Sequence, residues 1–128
     1  MNSKEFIEKL NEAQELLQQE NYKEAIVLIE QVKELEKKGN FDYNLTHRLY
    51  QFDSNSRSLY NQQIILKIVR ELSIQYKVIS FQELNQVLKA KEELNLTDDI
   101  LRREIELLIL RNQLPWRINK NTIILKSS

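Results

Sequence analysis

The residues of this chain that could do chemistry are few, and most lack a partner. Carboxylates are plentiful, but pairs such as Glu8 and Glu12, or Glu30 and Glu34, are like charges four apart on helical stretches. Solvated helix faces explain such pairs, so they do not make a general acid–base dyad. His47 is the only histidine; with no cysteine and no clustered carboxylate it reads as a surface or capping residue. A single glycine rules out a glycine-rich phosphate loop, and no Ser/His/Asp set can be assembled. The expectation is a non-enzymatic protein with no metal, no cofactor and no catalytic residue. What remains is recognition chemistry. Arg102, Arg103, Arg111, Arg117, Lys120 and Lys126 are a basic set that could contact phosphates. Leu107, Leu110, Trp116 and Ile118 are an apolar set that could face a protein. A tryptophan is the kind of anchor that concentrates binding energy.

Both sets lie in one stretch, and its pattern says how they are positioned. Val78 and Ile79 are β-branched, as a short strand prefers. Ser80-Phe81-Gln82-Glu83 has the spacing of a capping box, and Phe81, Leu84, Val87 and Leu88 then recur at helical spacing. Leu94 to Thr97 breaks that helix. Thr97 is a good N-cap for the next one, with Asp98 and Asp99 in its first turn, where the dipole favours anions. Ile100, Leu101, Ile105, Leu108 and Ile109 share one broad face, which Leu107 and Leu110 widen. Pro115 marks the stop, because the residue before a proline is pushed to extended geometry. Trp116 and Ile118 then alternate with Arg117 and Asn119, Lys120-Asn121 makes a tight turn, and Thr122 to Leu125 is β-prone. Strand, helix, turn, helix and hairpin give a winged helix whose wing offers an edge strand with unpaired backbone groups.

The 128 residues, 41% hydrophobic and 30% charged, suit a globular chain of one ordinary domain or two small ones. One glycine and one proline argue for mostly helix with short turns, an α+β chain dominated by α. No apolar run approaches the roughly 20 residues of a membrane span. MNSKEFIEKL lacks the apolar core of a signal peptide, and the absence of cysteine fits a reducing compartment, so the expected location is cytoplasmic. Two glycosylation sequons, at Asn44 and Asn95, read as coincidence in that setting.

Ahead of the winged helix stands a helical scaffold. Phe6, Leu10, Ala13 and Leu17 form one stripe, and Tyr22, Ala25, Ile26, Ile29, Val32 and Leu35 another, joined by a turn at Glu20-Asn21 that forces antiparallel packing. Asn21 to Glu24 has capping-box spacing, and Gly39 is expected as a left-handed cap. Leu45, Leu49 and Phe52 predict a short third helix, with Tyr43 and Tyr50 covering the open end of the hairpin. Ser54 to Ser58 is small and polar and reads as a linker. A strong helix resumes from Leu59 to Tyr76, with Ile64, Ile65, Ile68, Val69 and Leu72 buried. The division is therefore 1–53 scaffold, 54–58 linker and 59–128 winged helix. The scaffold holds 8 basic and 11 acidic residues through residue 58, net −3; the rest is net +3.

Asn21-Tyr22-Lys23-Glu24-Ala25-Ile26, with Ala13 before it and Ile29 and Val32 after it, resembles a tetratricopeptide-type repeat, without that family's usual glycine and closing proline or a second copy. A helical-repeat scaffold followed by a C-terminal winged helix resembles the PCI-type domain. The resemblance rests on Ile79-Ser80-Phe81-Gln82-Glu83-Leu84, Glu104-Ile105 and Arg117-Ile118-Asn119, with Asn119 where that family often has aspartate. It implies a scaffold subunit of a multi-subunit assembly that meets another subunit through its winged helix. Trp116, Leu107 and Leu110 are then interface, or else core. The rival expectation is a winged helix that binds nucleic acid through the basic set. Against it, Asp98 and Asp99 occupy the helix end where DNA-reading helices place base contacts. A homodimer through the N-terminal helices is a third expectation, if the Phe6 stripe lacks cover within the chain.

Overall fold

A computed structural model describes residues 3–125. The helices are α1 (Ser3–Gln18), α2 (Tyr22–Lys38), α3 (Tyr43–Leu72), α4 (Phe81–Glu92) and α5 (Asp98–Leu110). The strands are β1 (Val78–Ser80), β2 (Arg117–Asn119) and β3 (Thr122–Ile124). Among the described residues the chain is thus mostly helical with one small antiparallel sheet, an α+β arrangement. It divides into two compact units, Met1–Tyr60 and Asn61–Ser128.

In the first unit α1 and α2 form a helical hairpin. Phe6, Leu10 and Ala13 recur at spacings of four and three, so one face of α1 is apolar and fully buried. It packs with Ile29 and Val32 of α2 and Leu49 of α3, with Leu28, Phe41, Leu45 and Phe52 around them. Phe6, Leu10 and Ala13 are therefore covered within the unit, while Leu17, expected on the same stripe, is half-buried. The hairpin's end is closed by Phe41, whose ring centroid lies 4.5 Å from that of Phe6. Tyr43 and Tyr50, expected in that role, are exposed; Tyr50 instead donates to Glu36 at 3.2 Å. His47 is exposed and stacks on Tyr43.

Two expected caps differ. Asn21 makes no side-chain capping bond; its side-chain amide donates to Gln19 at 3.4 Å. Gly39 is extended (φ −133°, ψ 171°), not left-handed. A Cβ there would lie 2.9 Å from the edge of the Phe41 ring, so a larger residue would make that ring shift. The left-handed positions fall on Glu20, Glu93, Asn112 and Lys120. At the end of α1 the Asn21 backbone amide donates to the Leu16 carbonyl (2.9 Å) and the Glu20 amide to Leu17 (3.1 Å), a Schellman motif with glutamate at the left-handed site.

Ser54 to Ser58, expected as a linker, is helical. The short helix over 43–52 and the one expected from Leu59 are one helix, α3, which ends at Leu72 rather than Tyr76. The polar run contains no glycine or proline to stop it. Ser56 is buried and its hydroxyl donates to the Asp53 carbonyl at 3.1 Å, while Arg57 reaches Asp53 one turn back at 2.8 Å. Lys33 and Glu30 of α2 complete the charge network, pairing with Asp53 and Arg57.

In the second unit the strand order is β1-β3-β2, antiparallel throughout. Ile79 pairs with Ile123 and Ile118 with Ile123 on the other side, so β3 is central. The Ser80 capping box forms: its hydroxyl accepts from the Glu83 amide at 3.0 Å and its amide donates to the Glu83 carboxylate at 3.3 Å. Thr97 caps α5 by accepting from the Ile100 amide at 3.3 Å. Ile65, Ile68 and Val69 of α3, Leu84 and Leu88 of α4, Leu101, Ile105 and Leu108 of α5, and Ile123 are buried. Lys67 bonds Glu92 at 2.8 Å, which raises the lysine's pKa. In the hairpin turn the left-handed residue is Lys120.

Glycine placement generates a test of opposite signs. Glu20→Gly should stabilise the protein by about 0.5–1 kcal/mol, because a left-handed conformation costs an L-residue about 1–2 kcal/mol and glycine only its chain entropy. Gly39→Ala should destabilise it by forcing the Phe41 ring away from Phe6. Urea denaturation of the wild type and both variants measures the two effects.

Candidate interaction site on the last helix and hairpin

The end of α5 and the strand after it form an apolar concavity. α5 closes in a second Schellman motif: the Gln113 amide donates to Leu108 (2.9 Å) and the Asn112 amide to Ile109 (3.1 Å), with Asn112 left-handed. Leu114 is 2% exposed and pins the connection. Pro115 then starts the extended segment that carries Trp116 and Ile118. Glu106, Ile109 and Leu110, at helical spacing on α5, face Trp116, Arg117 and Ile118 across an open groove of about 370 Å³. Leu110 is 77% exposed at its edge, whereas Ile109, Trp116 and Ile118 are half-buried. Three of the four apolar candidates, Leu110, Trp116 and Ile118, therefore share one concavity. Leu107 is half-buried and does not line it.

Arg102 holds this arrangement in place. Its guanidinium lies 4.5 Å from the centre of the Phe81 ring and donates to the Lys120 carbonyl at 2.5 Å and to Asn121 Oδ1 at 3.5 Å. The Phe81 amide in turn donates to the Asn121 carbonyl at 3.0 Å. The start of α4, the first turns of α5 and the hairpin turn thus meet at one side chain.

Of the basic set, the structure brings Arg102 onto the backbone of Lys120. Arg102 is engaged inside the unit. Arg103 is exposed and bonds its neighbour Glu104 at 3.4 Å. Arg111 is nine positions after Arg102, about 180° around a helix, and donates to Gln62 at 3.1 Å. Arg117 lines the apolar groove, and Lys120 is exposed at the hairpin turn. Lys126 lies outside the described residues.

Sequence reasoning missed the polar core behind the groove. Glu104 is fully buried and accepts from the Gln62 amide at 3.3 Å, linking α5 to α3. Its position was a usable signal: Leu101, Glu104, Ile105 and Leu108 form one stripe, so a glutamate at that register faces inward. Gln62 sits likewise three residues before Ile65. A second, polar groove of about 210 Å³ is lined by Gln82, Asn85, Gln86, Lys89, Asn95 and Asp98. Its Asn85 amide closes the α4–α5 connection by donating to the Leu96 carbonyl (2.9 Å) and to Asp98 (3.1 Å). Among the described residues no three His, Cys, Asp or Glu cluster to hold a metal ion, and no helix is long and apolar enough to cross a membrane.

No family model, curated protein or solved structure matches the chain.

The Arg102 clamp has a measurable weight. Arg102→Ala should destabilise the second unit by about 2 kcal/mol, because it removes a charged hydrogen bond and a cation–π interaction at once. Lys37→Ala, on the exposed pair with Glu34, should change stability by less than about 0.5 kcal/mol. Thermal and urea melts of both variants decide this.

Proposed function

We propose that residues 59–128 form a winged helix that serves as a protein-docking module, and that the protein is a non-enzymatic scaffold subunit of a multi-subunit assembly in the cytoplasm. The element order supports the winged-helix reading: helix, strand, helix, helix, then a hairpin whose second strand pairs with the first strand of the unit. The resemblance to the PCI-type domain carried by Ile79 to Leu84, Glu104-Ile105 and Arg117 to Asn119 implies such an arrangement, a helical scaffold followed by this module.

The observation that carries the docking reading is Leu110, 77% exposed beside a groove walled by Trp116 and Ile118. A large aliphatic residue next to an aromatic-lined concavity is what an interface core needs: an anchor, a pocket and few charges. The N-terminal helical hairpin then extends the surface available to the assembly. The nucleic-acid reading is weaker on two counts. Arg102 is committed to Phe81 and the hairpin turn. Asp98 and Asp99 are exposed in the first turn of α5, where they repel phosphates.

A photo-crosslinking residue tests this in cells. Placed at position 110 it should give a covalent adduct with protein; placed at position 27, an exposed valine on α2, it should give little or none. Equal labelling from both positions, or an adduct with nucleic acid at 110, would contradict the reading.

A further inference from the structure

The groove carries the means to recognise itself. On one face stand a knob, Leu110, and beside it a concavity walled by Trp116 and Ile118. The same groove has one acid and one base, Glu106 and Arg117. Among the described residues neither makes an ion pair within the chain, although both line the same concavity. A two-fold contact through such a face would pair each of these groups with its complement on the other copy. In an isologous contact, residue i meets residue j and j meets i. In that contact Leu110 of each copy would enter the other's groove, and Glu106 of each would meet Arg117 of the other. The whole chain has a formal net charge of zero, so no long-range repulsion opposes two copies approaching.

We propose that the occupant of this groove is a second copy of the chain, in a two-fold dimer built on Leu110 and two reciprocal Glu106–Arg117 pairs. The proposal rests on the reading of the groove as a docking surface and names the partner. It differs from a dimer through the N-terminal helices, where Phe6, Leu10 and Ala13 are already buried within the chain.

Sedimentation equilibrium of the full chain, from low micromolar to submillimolar concentration, reads the association directly. The wild type should pass from one-chain to two-chain mass. Leu110→Asp should remain monomeric with an unchanged circular dichroism spectrum. Glu106→Arg and Arg117→Glu should each weaken the dimer about tenfold or more, since each leaves two like-charge contacts across the axis. The double variant Glu106→Arg with Arg117→Glu should restore dimerisation, because it exchanges the partners without altering the pairing. A wild type that stays monomeric throughout overturns the proposal, as does a dimer that survives Leu110→Asp or a double variant no better than the single ones. In a monomeric wild type, a crosslink from position 110 to a different protein would leave the docking reading standing while the dimer falls.

Discussion

The second unit is organised around one cation. The Arg102 guanidinium is shared between an aromatic face and a backbone carbonyl, and each needs the other in place. Phe81 is the first residue of α4, so the ring's position follows from the Ser80 capping box before it. Lys120 offers its carbonyl at the tip of the hairpin, in a left-handed conformation that a lysine adopts only at some strain. The Phe81 amide on the Asn121 carbonyl closes the loop. The start of α4, the first turns of α5 and the hairpin are therefore mutually fixed. Once the hairpin is held against α5, the last turn of that helix faces β2 and the apolar groove results.

That arrangement also decides which chemistry is available. A guanidinium already engaged with a ring and a backbone carbonyl is a poor phosphate ligand, because binding a phosphate would break both interactions. Of the other basic residues, Arg103 bonds Glu104, Arg111 bonds Gln62 and Arg117 lines the apolar groove. What the face does offer is desolvatable area: Leu110, Ile109, Trp116 and Ile118, with one charge of each sign. Behind it the buried Glu104–Gln62 hydrogen bond ties α5 to α3. A buried carboxylate contributes little net stability unless its bonds are complete, and removing its partner is costly.

Local signals were the legible ones. The Ser80 capping box, the Thr97 cap, the helix stop before Pro115 and the period-two pattern of the hairpin all depend on residues within a few positions of one another, and each element formed where its signal lay. Long-range packing was not legible. Ser54 to Ser58 has loop composition, yet nothing in it forbids a helix, and the Asp53–Arg57–Glu30–Lys33 network together with a buried Ser56 keeps α3 continuous. Gly39 looked like a cap because composition cannot reveal that Phe41 folds back across it. The same holds at the site. The apolar residues could be named from their pattern, but that Leu110 stands outside while Leu107 turns partly inward depends on where α5 ends. That Arg102 is internal depends on a ring twenty-one positions away.

Everything proposed for the face of α5 and the hairpin requires that it meet protein rather than nucleic acid. The most direct measurement is fluorescence anisotropy of labelled duplex DNA and single-stranded RNA, titrated with the protein from low to physiological salt. A protein-docking face predicts no binding at physiological salt, and only weak, sequence-independent binding at low salt. Binding that persists at physiological salt, falls linearly with the logarithm of salt concentration at a slope of several phosphates, and disappears in Arg103→Glu or Arg117→Glu would contradict it.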